Sequence, residues 1–63
     1  MLTTRERQVF ALIGKFGNTN MEIGAALGCT ERTIKVHVSS LLRKRNVSNR
    51  VQLALDYNGL LKQ

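Results

Sequence analysis

The apolar residues of this chain fall into four blocks at helical spacing, each opened by a residue suited to capping a helix. In the first block Val9, Leu12, Ile13 and Phe16 follow an i, i+3, i+4, i+7 pattern, which marks one buried helical face. Thr3-x-x-Glu6 ahead of it is a capping box, in which threonine and glutamate each satisfy a free backbone N–H of the first turn. Gly17-Asn18 tolerates a left-handed backbone and ends the helix. The same device recurs at Thr19 and Glu22, followed by the short apolar face Ile23, Ala26 and Leu27 and the stop Gly28. Thr30 opens a third block, with Ile34, Val38, Leu41 and Leu42 as its stripe and Asn46 as its end. Ser48 opens a fourth, with Val51, Leu53, Ala54, Leu55 and Tyr57, and Gly59 stops it. The expected helices are 4–16, 20–27, 31–45 and 49–58. Leu60 and Leu61 either pack back on the bundle or fray.

Only Gly28-Cys29-Thr30 separates the second helix from the longer third one. A short glycine-containing turn between two such helices is the helix-turn-helix signature. Gly24 fits a crossing in which two backbones approach closely. Its alternative is a plain helix weakener, costing about 1 kcal/mol against alanine. The predicted fold class is therefore all-α, a four-helix helix-turn-helix domain.

At 100° per residue, Ile34, Val38 and Leu41 lie on one side of the third helix. Arg32, Val36, Ser39 and Arg43 lie on the other, flanked by Lys35 and Ser40. From Arg32 to Arg50 there are six basic residues and no acidic one. A DNA major groove admits a helix and offers it base acceptors and the thymine methyl. Lys35, Val36 and Ser39 are the candidate base contacts. Arg32, Thr33, Ser40, Arg43 and Lys44 are candidate phosphate contacts. Thr19, Asn20 and Thr30 join them, because helix N-termini present free amides to anions. The competing reading is a solvated polar face, but Val36 at its centre has no core reason to be there. His37, at the edge of the buried stripe, reads as a packed, hydrogen-bonded core-edge residue rather than a phosphate contact.

Composition narrows the classes of partner. The chain has 63 residues, 43% hydrophobic and 22% charged, with a net charge of +6. That length suits one domain, and a domain this small buries only about 60% of its unfolded surface. The charge favours a polyanion, nucleic acid before an anionic membrane, with solubility alone as the alternative. The single cysteine, Cys29, builds neither a disulfide framework nor a zinc cluster and reads as a small buried apolar residue. No apolar run reaches the roughly 20 residues of a membrane span, and no signal peptide is visible. One histidine, one cysteine and no paired carboxylates argue against an enzyme. No cofactor or metal is expected.

With these residues in hand, the chain resembles the LuxR-type (GerE-like) DNA-binding domain of bacterial response regulators and quorum-sensing receptors. The matching pieces are Leu2-Thr3-Thr4-Arg5-Glu6, Glu22-Ile23, Thr33-Ile34-Lys35-Val36-His37, Lys44 with Val47, and Arg50. The resemblance runs from Leu2 to about Tyr57 and implies that 1–63 is a single domain of this type. It further implies transcription regulation in the bacterial cytoplasm, with the protein at the nucleoid when bound, and homodimers on paired half-sites. Lys35 and Val36 match positions that commonly meet bases. Glu6 and Arg50 match positions that look structural, paired with one another. Three departures stand out. Met21 replaces a usual lysine, Ser39 replaces a lysine of some members, and Arg45 replaces a usual apolar residue on the buried stripe. The Arg45 stem is expected to cover the core while its head reaches water.

The fourth helix resembles the family's dimer helix. It offers two apolar pairs, Val51 with Leu55 and Leu53 with Tyr57. Val51 and Leu55 are assigned to a dimer interface, the alternative being that all four are core. A second class of function is a protein–protein interaction module that modulates a larger regulator or RNA polymerase, a sigma region-4-like module among its variants.

Overall fold

The computed structural model describes residues 1–61, which form four helices: α1 (Thr4–Phe16), α2 (Asn20–Leu27), α3 (Glu31–Lys44) and α4 (Arg50–Tyr57). The first three begin where their threonine caps place them. Thr3 Oγ1 accepts from the Glu6 N–H and Glu6 Oε1 accepts from the Thr3 N–H, at 3.1 and 2.8 Å. Thr19 and Glu22 repeat the exchange at 3.2 and 2.8 Å. Thr30 accepts from the Thr33 N–H. Gly17, Gly28 and Asn46 follow their helices in the left-handed conformation, with φ of 63°, 71° and 56°.

The start of α4 departs from expectation. Asn49, not Ser48, is the cap: its side chain accepts from the Gln52 N–H, and the Gln52 side chain accepts from the Ser48 N–H. The Gln52 side chain thus reaches one residue further back than in the capping boxes of α1 and α2. The third and fourth helices are each slightly shorter than 31–45 and 49–58, because Arg45 and Asn58 are their C-caps.

Val9, Ile13, Ile23, Ile34, Val38, Leu41 and Leu53 form one buried core to which all four helices contribute. Leu12, Leu27, Cys29, Leu42 and Val47 cover its margins, so Cys29 is half-buried rather than fully enclosed. Two expected core residues face solvent: Phe16 and Ala26 are exposed. Tyr57 packs at Gly14, and Phe16, two residues further along α1, is 67% exposed. The buried face of α2 is instead Ile23 and Gly24, with Leu27 half-buried. Leu60 is exposed and Leu61 half-buried.

Two glycines let helices meet. A Cβ on Gly24 would lie 2.6 Å from the carbonyl oxygen of Cys29, so the turn into α3 crosses directly over α2. The close-approach reading of Gly24 holds. A Cβ on Gly14 would lie 2.3 Å from the Tyr57 ring, a notch that seats α4 on α1. Tyr57 also meets Phe10 edge-on, ring centres 5.0 Å apart.

Candidate nucleic-acid interface

The buried stripe of α3 turns its opposite face outward. Arg32, Lys35, Val36, Ser39 and Arg43 are all exposed, Val36 at 64%. None of Arg32, Lys35 and Arg43 has an acidic partner among the described residues, where the two ion pairs belong to Lys44 and Arg45. The face therefore presents three free cations around an apolar centre. Thr30 and Thr33 stand at its N-terminal end, their hydroxyls 3.0 Å apart. Thr19 and Asn20 begin α2.

Two expected phosphate contacts are turned elsewhere. Glu6 is a buried carboxylate at 4% exposure. Ser40 donates to its Oε2 at 2.5 Å, and Lys44 Nζ binds its Oε1 at 2.9 Å. The reason is geometric: Ser40 and Lys44 lie on the side of α3 that faces α1, where Glu6 stands within reach of both. The Ser40 hydroxyl, the Thr3 N–H and the Lys44 ammonium hold the Glu6 carboxyl at a pKa of about 2, because all three favour its charged form.

The expected pairing of Glu6 with Arg50 does not occur. Arg50, the first residue of α4, donates from Nη1 to Asn20 Oδ1 and from Nη2 to the Asn18 carbonyl. It thereby ties α4 to the loop before α2. Arg45 also differs from expectation, since its head is paired rather than free. Its guanidinium takes both carboxylate oxygens of Asp56, at 2.6 and 3.1 Å, and lies 5.6 Å over the Phe10 ring. Asp56 is held below the ordinary carboxylate range by its bonds to Arg45. His37 is half-buried at the edge of the stripe, as expected, but its ring makes no hydrogen bond among the described residues.

The family model for bacterial regulatory proteins of the luxR family (GerE) matches residues 1–56. The chain belongs to that family. Over 54 residues it is 50% identical to the uncharacterized transcriptional regulatory protein YhcZ of Bacillus subtilis, covering 86% of this chain and 25% of that protein. It is 44% identical to the transcriptional regulatory protein LiaR of the same organism, with the same coverage. It is also 44% identical over 55 residues to the response regulator VraR of Staphylococcus aureus, covering 87% of this chain and 26% of that protein. The chain thus spans about a quarter of the length of these curated relatives. No solved structure matches it.

Within this LuxR-type domain, sequence reasoning missed three contacts that set the helices. They are the Gly14 notch, the Arg50 clamp, and a bond from Arg5 Nη1 to the Leu27 carbonyl that closes the end of α2. Arg50 left one signal. A cation in the first turn of a helix opposes the helix dipole and so calls for a local partner. Among the described residues, no helix is long and apolar enough to cross a membrane.

Proposed function

We propose that this LuxR-type domain binds double-stranded DNA with α3 in the major groove and that its binding serves transcription regulation in the bacterial cytoplasm. The observation that carries the reading is the exposed α3 face, with three unpaired cations around Val36. Lys35, Val36 and Ser39 read bases. Arg32 and Arg43 hold phosphates, with Thr30 and Thr33 beside one strand and Thr19 and Asn20 at the start of α2 on the other side of the turn. Ser40 and Lys44 leave this set and serve as internal struts, because Glu6 engages both. The exposure of Val51 at 70% and Leu55 at 37% supports a homodimer through α4, while Leu53 and Tyr57 on its other side pack inward. The same exposed pair also supports the second reading, a module that docks on a larger regulator or on RNA polymerase.

The test is selection of a duplex from a random pool with the 63-residue chain, followed by titration at rising salt. Phosphate contacts release counterions, so affinity must fall steeply with salt. Binding that is flat with salt, or no binding beside tight capture of a protein, rejects the DNA reading.

A further inference from the structure

Arg50 occupies an electrostatically awkward place. It is the first residue of α4, and its guanidinium reaches Asn20, the first residue of α2. It therefore stands between two helix N-termini, each the positive end of a dipole. Glu22 in the first turn of α2 offsets part of that field. The guanidinium is held by hydrogen bonds rather than by an acid, since its partners are an amide oxygen and a backbone carbonyl. A cation fixed at two positive ends creates a field that an arriving anion relieves.

Its effect on Asn20 is more specific. An asparagine side chain carries one acceptor oxygen and one NH2 donor group, and its environment selects which points where. Arg50 takes the oxygen. The amide nitrogen, Nδ2, makes no hydrogen bond among the described residues. The N–H groups of Asn20 and Met21 lie in the same turn, and the Thr19 cap takes the Glu22 N–H instead. Three donor groups, one side-chain amide and two backbone N–H, thus belong to one turn, and the Asn20 oxygen is engaged by Arg50 rather than left to repel a phosphate oxygen.

We propose that Arg50 is a positioning residue for DNA binding, which acts through Asn20 by fixing its amide as a donor, the Asn18 carbonyl anchoring the guanidinium that does so. The inference rests on the DNA-binding reading above. Arg50 touches no phosphate itself. Its two-pronged fork is what the role requires, because one planar group must meet the Asn20 oxygen and the Asn18 carbonyl together. A lysine ammonium keeps the charge and lacks the fork.

The test measures affinity and its salt dependence on the selected duplex for wild type, Arg50→Lys, Arg50→Ala, Asn20→Ala and the double variant Arg50→Ala/Asn20→Ala. All are compared below the onset of thermal unfolding. Arg50→Lys, Arg50→Ala and Asn20→Ala should each bind about tenfold more weakly, the scale of a hydrogen bond involving a charged group. The double variant should be no worse than the single ones, and the salt slope of Arg50→Lys should match wild type. Wild-type affinity in Arg50→Lys overturns the proposal, since charge alone would then suffice. An Arg50→Ala effect that persists in full on the Asn20→Ala background overturns it too, by placing Arg50 on the phosphate. So does an Asn20→Ala variant that binds like wild type. If Arg50→Ala fails to fold, Arg50→Lys and Asn20→Ala, which leave the core untouched, decide the matter. Absence of salt-dependent binding by wild type would instead reject the DNA reading itself.

Discussion

Replacing Gly24 by alanine sets two forces of similar size against each other. Alanine is favoured over glycine inside a helix by about 1 kcal/mol, so on propensity alone Gly24→Ala would stabilise α2. Against this, the new Cβ would stand 2.6 Å from the Cys29 carbonyl oxygen, where a carbon–oxygen contact needs about 3.3 Å. The obstacle is backbone, so no flexible side chain can swing aside. The Cys29 N–H also donates to the Gly24 carbonyl at 2.8 Å, which fixes the turn from the other side. Overpacking of this kind costs about 1–3 kcal/mol, and with the turn pinned the upper part of that range applies. The net expectation is a loss of about 1–2 kcal/mol, taken as that upper cost less the propensity gain. In a domain this small each kcal/mol moves the melting temperature by about 4–8 °C. Thermal melts followed by far-ultraviolet circular dichroism read the change. Ala25→Gly, at an exposed position of the same helix, measures the propensity contribution alone and should destabilise by about 1 kcal/mol. A Gly24→Ala variant that melts at or above wild type would refute the claim that close backbone approach requires glycine here.

Three further outcomes are expected. Leu53→Ala removes a fully buried side chain and should cost about 2–5 kcal/mol, against a total stability of about 3–9 kcal/mol for this length; denaturant titration should find its midpoint sharply lowered, whereas Val51→Ala should stay within about 0.5 kcal/mol of wild type. Glu6 has a folded pKa lowered from 4.5 to about 2, so its contribution is complete above about pH 4.5 and is lost as pH falls toward 2; Glu6→Gln should flatten the fall in melting temperature over that window, and an unchanged slope would contradict the network. Arg43→Ala should weaken binding to all duplexes and reduce the salt slope by about one, while Lys44→Ala, freeing Glu6, should lower the melting temperature and leave the slope nearly unchanged.

The local syntax of the chain determined its helices. Thr3, Thr19 and Thr30 cap within three residues of their own position, and such short-range bonds form the same way wherever the helix later packs. Gly28 and the three-residue turn likewise announced the helix-turn-helix, and the outward face of α3 followed from the period of its buried stripe. At the fourth helix the expected cap, Ser48, is one residue early, because the Asn49 side chain takes the Gln52 N–H instead. Periodicity located faces but not which positions on a face a partner covers, so Phe16 and Ala26 read as core and are exposed. Only the tertiary structure decided the polar contacts. Glu6 meets Ser40 and Lys44 across more than thirty residues of chain, and Arg50 meets Asn18 and Asn20 across a similar separation. No spacing rule links such partners, because their distance is set by how α1, α2 and α4 cross α3. The sequence by itself named an outward basic face of the kind that suits a polyanion. The crossing of the helices decided which of its residues are free to reach one and which are already held.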